Sequence, residues 1–188
     1  MALTFTPQAT ETERLPSFEL MGVDGKKYSE KFLQNAKASV VMFICNHCPY
    51  VKAIEDRLIE LGHDLKALQV PLLAINSNDP TEHPEDSFSE MKKRSEMKSY
   101  PFPYLIDESQ DVAKRFGAVC TPDFFVYDSQ GLLSYRGRLD DSWKNAANVQ
   151  RRELFEAVQK ILAGAKDMSQ INATSKPSMG CSIKWRTP

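Results

Sequence analysis

The sequence predicts an α/β fold, a central mixed sheet with helices on its faces. Three observations carry this expectation. First, Val40-Val41-Met42-Phe43-Ile44 is continuously apolar and rich in branched and aromatic side chains, as a strand covered on both faces should be. Second, Val51, Ile54, Leu58, Leu61, Leu65 and Leu68 recur at spacings of three and four, one face of a helix, before another apolar run at 70–76. A strand–helix–strand unit of this kind makes the two strands parallel, with a right-handed crossover. Third, Phe124-Phe125-Val126-Tyr127 and Leu132-Leu133-Ser134-Tyr135-Arg136 flank the turn Asp128-Ser129-Gln130-Gly131, an antiparallel hairpin.

The other elements follow in chain order. Residues 1–14 are polar and aperiodic and read as a loose lead-in. Asp24-Gly25 between Phe18-Glu19-Leu20 and Lys27-Tyr28 signals a hairpin. A short helical piece at 30–35 leads into the central strand. Residues 78–86 are a turn-rich break, in which His83 reads as a surface residue. A charged helix follows at 87–99, whose Met91-Lys92-Lys93-Arg94 cluster reads as a solvated face beside Glu90 and Glu96. Residues 103–107 form a short strand. Ser109 then caps a helix that Gly117 ends. A last helix covers 148–163, with Leu154, Val158, Ile161 and Leu162 inward. Residues 15–166 thus form one domain, and 167–188 a tail.

Bulk properties narrow the function. A chain of 188 residues suits one domain with a full core. Its formal net charge of −1 argues against a nucleic-acid or acidic-membrane partner. The N-terminus lacks the basic start and apolar stretch of a signal peptide, and no run is long enough to span a bilayer. A cytoplasmic protein is expected, where thiols stay reduced and four cysteines call for a chemical reason.

That reason lies in Cys45-Asn46-His47-Cys48, between the central strand and the first helix. Unpaired amides and the helix dipole at a helix start stabilise a thiolate, and sulfurs three residues apart can close a local disulfide. The expectation is a redox-active dithiol, with Cys45 exposed at the helix start and Cys48 one turn deeper. Two alternatives remain. A zinc site could draw on His47, Cys120 and Cys181, though no second Cys-x-x-Cys exists to pair with the first. The cysteines could also be inert core residues.

The order strand, dithiol, helix, strand, helix, strand, helix, Thr121-Pro122, hairpin, helix resembles the thioredoxin fold, a three-layer α/β architecture. The N-terminal hairpin is similar to the redoxin branch, which includes the alkyl hydroperoxide reductase/thiol-specific antioxidant proteins. Cys-Asn-His-Cys-Pro-Tyr-Val, Ala-Val-Cys-Thr-Pro-Asp, Tyr-Arg-Gly-Arg-Leu-Asp-Asp-Ser and Gly-Cys-Ser-Ile-Lys-Trp together resemble bacterial peroxiredoxin-like proteins of that superfamily. The resemblance implies Cys45 and Cys48 as the dithiol, facing a cis-proline at Pro122. It implies thiol–disulfide exchange with no cofactor beyond the Cys45–Cys48 disulfide. A disulfide-containing protein or small thiol would be the substrate, with a thioredoxin or glutathione type of reductant. An extended substrate would pair with the backbone flanking Pro122.

Two related activities are alternatives. Peroxiredoxins carry a proline and a threonine or serine seven and three residues before the reactive cysteine. Here those positions are Val41 and Cys45 counting from Cys48, or Ala38 and Met42 counting from Cys45, so the peroxide-binding hydroxyl is missing. Sco-type copper or zinc handling needs three residues between the cysteines and a distant histidine; here there are two, and no well-placed histidine in the later loop.

Four further residues complete the expected site. His47 as an imidazolium would favour the Cys45 thiolate, moving the potential from thioredoxin's ~−270 mV toward disulfide isomerase's ~−180 mV. Arg138 reads as a substrate contact or as part of a surface charge cluster. Cys120 is expected near the dithiol or turned into the core. The tail's Met179, Ile183 and Trp185 are costly to leave in water. It is therefore expected to pack back and bring Cys181 to the dithiol as a third, relaying thiol.

Overall fold

The computed structural model describes residues 3–7, 13–166, 168–172 and 176–186. Its strands and helices are β1 (Leu3–Phe5), β2 (Glu19–Gly22), β3 (Lys27–Ser29), β4 (Ala38–Phe43), α1 (Pro49–Ala67), β5 (Leu72–Asn76), α2 (Phe88–Lys98), β6 (Tyr104–Ile106), α3 (Asp111–Phe116), β7 (Cys120–Thr121), β8 (Asp123–Asp128), β9 (Leu133–Gly137), α4 (Glu153–Leu162), α5 (Met168–Asn172) and β10 (Met179–Ser182). Seven strands make the main sheet in the order β3-β2-β6-β5-β4-β8-β9. The pairs β4–β5 and β5–β6 are parallel, while β4–β8 and β8–β9 are antiparallel, the mixed sheet expected.

Strand β4 is central because every residue of it is buried. Its alternating side chains feed two cores. Val40 and Met42 join Ile54, Leu58, Leu61 of α1 and Leu154, Val158 of α4 on one face. Val41 and Phe43 join Leu73, Phe116 and Phe125 on the other. This period-two division is the reason the sequence run is apolar without interruption.

Several boundaries differ from expectation. The lead-in is not all loose: Leu3–Phe5 pairs antiparallel with β10, and Arg14 bridges Leu132. Residues 8–12 lie outside the described segments. The helical piece at 30–35 is one 3-10 turn, Glu30–Phe32, and α4 begins at Glu153 rather than 148. Ser109 is not the main cap of α3: Asp107 accepts from the amides of Val112 (3.4 Å) and Ala113 (2.9 Å). Leu68 falls past the end of α1 and is 41% exposed, so the apolar face ends at Leu65.

A second sheet, β1-β10-β7, decides where the tail goes. Cys181 lies opposite Thr121 and Ser182 opposite Cys120. Beyond it the amide of Ile183 donates to Val119 O (3.1 Å), with the Ile183 side chain buried. Trp185 stays 42% exposed, so Ile183 rather than Trp185 anchors this end. Among the described residues no helix is long and apolar enough to cross a membrane.

Candidate active site

Cys45 and Cys48 do not occupy the positions expected of them. Cys48, not Cys45, is the N-cap of α1, with Pro49 at its first turn. Cys45 sits in the loop after β4, and both side chains are buried rather than one being exposed. The amide-rich helix start therefore serves Cys48. Its thiol pKa is pushed down to about 5. The Cys45 thiol hydrogen bond contributes most, and the Val51 and Cys181 backbone amides and the Cys181 thiol add to it against the cost of burial. Cys45 moves the other way, well above an ordinary thiol. Burial is the main cause, followed by its hydrogen bond to Cys48 and the negative charge of Asp86. The helix start thus favours ionisation at Cys48 over Cys45.

Thr121 and Pro122 lie against both sulfurs. The Thr121–Pro122 peptide is cis. Thr121 Oγ1 is 3.2 Å from Cys45 Sγ, and Thr121 O accepts from Cys48 Sγ at 3.1 Å while that thiol is protonated. Cys181 reaches Cys48 through both its amide and its thiol, and burial with the neighbouring Cys48 charge pushes the Cys181 thiol up to about 12. Cys120 is fully buried and donates to Pro122 O at 3.7 Å. Burial, then the charge of Asp123, pushes that thiol upward, and its sulfur turns to Pro122 O, so Cys120 packs as a core thiol.

His47 is buried, with Nδ1 2.5 Å from Asp86 Oδ2 and 3.6 Å from Cys45 Sγ. An ionised carboxylate only accepts, so Nδ1 carries a proton and gives it chiefly to Asp86. Asp86 is the site residue that sequence reasoning missed. It arrives from the 3-10 turn Pro84–Asp86, where nothing in the local spacing marks it. Its Oδ1 accepts from the amides of Asn46 (2.7 Å) and His47 (3.1 Å), and its Oδ2 also accepts from Asn78 (2.9 Å). Burial alone would raise its pKa; the His47 and Asn78 hydrogen bonds outweigh this and hold it below the usual carboxylate range. The carboxylate thus clamps the loop that carries the dithiol.

His83 is not a plain surface residue. Its ring stacks on His47, with centroids 3.8 Å apart and planes 2° apart. The 78–86 turn segment therefore brings a second histidine ring against His47. A ligand set also emerges that differs from the one weighed from sequence: donor atoms of Cys45, His47 and Asp86 lie within 4.8 Å of one another and could hold a metal ion. Cys120 and Cys181 are not in it. His47 Nε2 is buried without a hydrogen-bond partner.

Arg138 forms a two-pronged ion pair with the buried Glu153, both contacts at 2.8 Å. The pair is partly buried, so removing one partner costs more than it would for an ordinary surface pair. Arg138 also borders a cavity of about 280 Å³ beside Pro122, walled by Tyr50, Phe124, Leu139, Trp143 and Met179. Arg138→Ala is expected to strand the Glu153 carboxylate and cost about 2 kcal/mol, a melting-point drop of roughly 4–8 °C for a chain this size. A melting curve checks this; an unchanged midpoint would return Arg138 to a purely substrate-facing role.

An uncharacterised conserved protein from Geobacillus kaustophilus is 39% identical, covering 100% of this chain and 98% of its own, with a TM-score of 0.92. A hypothetical protein from Sinorhizobium meliloti 1021 is 34% identical, covering 98% of this chain and 100% of its own, with a TM-score of 0.89. A putative thioredoxin from Neisseria meningitidis, 18% identical over 80% of this chain and 91% of its own, superposes with a TM-score of 0.63 and shares the fold. No curated protein matches. Residues 12–136, most of the chain and the whole dithiol region, match the AhpC/TSA family. The chain therefore belongs to the AhpC/TSA family, in the redoxin branch of the thioredoxin superfamily.

Proposed function

We propose that this protein is a thiol–disulfide oxidoreductase in which Cys48 attacks a substrate disulfide and Cys45 closes the Cys45–Cys48 disulfide behind it. One observation carries the reading: Cys48 caps α1 against Thr121–Pro122, with the Cys45 thiol in hydrogen-bonding reach. The thiolate is the attacking species in exchange, and a thiol with a pKa below ambient pH is present almost wholly in that form. Relative to the sequence expectation, the two cysteines exchange roles. The substrate is a disulfide, the reductant a small thiol or a thioredoxin-type protein, and no cofactor takes part.

Metal handling by Cys45, His47 and Asp86 is the second reading, favoured by the closeness of their donor atoms. It requires a metal to displace the His47–Asp86 hydrogen bond. Equilibration of the reduced protein in glutathione buffers, followed by mass mapping, tests the first reading. A Cys45–Cys48 disulfide that appears and disappears with buffer potential supports it. A protein whose Cys48 stays a thiol throughout, yet which retains zinc on dialysis, would replace it with the second.

A further inference from the structure

An extended substrate in this fold would be expected to add a strand to the backbone just before Pro122. That edge is already taken. Strand β10 pairs with β7 there, and β1 pairs along the outer side of β10, so the chain's own two ends fill the place of a bound peptide. The register sets Cys181 opposite Thr121, the residue whose carbonyl touches Cys48.

The fit is close. A Cβ at Gly180 would meet Thr121 O at 2.0 Å, so only glycine lets this backbone approach. Ser178 Oγ donates to Pro122 O at 2.7 Å, and the Thr6 amide donates to Ser178 O at 3.0 Å. Downstream, Lys184 O accepts from the Asp79 amide (2.9 Å) and from Gln110 Nε2 (2.7 Å). The strand is held at both ends, and between them Cys181 directs its amide and thiol at Cys48.

We propose that β10 is a built-in substitute for substrate: it presents Cys181 as a second resolving thiol for Cys48 and closes the edge to extended polypeptides, so that the substrate is a small-molecule disulfide. This rests on the reading of Cys48, which caps α1 against Thr121–Pro122, as the attacking sulfur. The cavity of about 280 Å³ beside Pro122 stays open with the strand in place, and its apolar and aromatic walls suit the arm of such a molecule. The Cys48 thiolate attacks R–S–S–R, forming Cys48–S–S–R and releasing RS⁻. Cys181 then attacks the Cys48 sulfur, its proton passing to the departing RS⁻. The protein is left with a Cys48–Cys181 disulfide, two-electron oxidised, and the substrate as two thiols. A small thiol reverses the sequence.

The test uses the full chain with Cys45→Ser, so that Cys181 is the remaining partner, and dithiobis-nitrobenzoate as the small disulfide. Two equivalents of thionitrobenzoate per chain and a Cys48–Cys181 bridge by mass mapping are expected. Adding Cys181→Ser should stop the reaction at one equivalent, with a stable adduct on Cys48. If the Cys45→Ser chain keeps its adduct and forms no bridge, Cys181 is no resolving thiol and the proposal fails while exchange at Cys48 stands. If the double variant takes no adduct at Cys48, the oxidoreductase reading fails with it. Gly180→Ala, in a chain whose melting curve remains cooperative, should displace the strand and raise insulin reduction severalfold over wild type. No gain with insulin would overturn the closed edge.

Discussion

At neutral pH, iodoacetamide should label Cys48 ahead of the other three cysteines, at a rate set by opening of its buried site and falling as pH drops through about 5. The other three thiols are held above neutrality: Cys45 by burial and the Cys48 sulfur, Cys120 by burial and Asp123, Cys181 by burial and Cys48. Cys48→Ser should therefore remove fast labelling and disulfide reduction together, a loss on the order of 100-fold or more, because the residual thiols are almost wholly protonated. Cys45→Ala should retain labelling but shift its midpoint upward by about 1–2 units. That is the effect of one lost hydrogen bond to a charged sulfur, ~1.5–3 kcal/mol, at 1.36 kcal/mol per unit. A rate profile of the two variants with mass assignment decides the matter. Labelling confined to Cys45 would reverse the assignment of roles.

The second large effect belongs to Asp86. Replacing it with alanine leaves the Asn46 and His47 amides and the His47 Nδ1 proton buried without their acceptor. A cost of about 3 kcal/mol is expected, a fall in melting temperature of roughly 6–12 °C. The pH dependence has a definite sign. The Asp86 pKa is lowered in the folded protein, so its contribution is complete above the ordinary carboxylate value of ~3.9 and is lost as pH falls through the folded value. Wild type and Asp86→Ala should thus differ fully at pH 7 and converge only in strong acid. Equal melting temperatures at pH 7 would show that the carboxylate clamps nothing.

Asp86→Ala should also loosen the loop before α1 without removing either thiol. If Cys48 labelling keeps its midpoint in this variant, the carboxylate acts on loop geometry and on Cys45 rather than on the thiolate. The contacts favour that outcome, since Asp86 holds the Asn46 and His47 amides and the His47 ring that lies against Cys45.

Local composition determined the mixed sheet, its central strand and the place of Cys45 and Cys48 between strand and helix. An uninterrupted run such as Val40–Ile44 must be covered on both faces, and the spacing from Val51 to Leu65 can be satisfied only by a helix lying along it. The closeness of Cys45 to Cys48 was legible for the same reason, being a matter of a few residues. Which sulfur becomes the thiolate was not. That depends on where α1 begins, and a shift of three residues moves the cap from Cys45 to Cys48. Asp86 and His83 were illegible because their partners lie about 40 residues away, and a turn sequence says nothing about what it touches. The tail's composition suggested packing, but its antiparallel register on β7, with Gly180 against Thr121, exists only once β4, α1 and β8 have placed Pro122 beside Cys48. Periodicity records what each segment must bury; only the assembled sheet decides which distant backbone and which carboxylate meet the sulfurs.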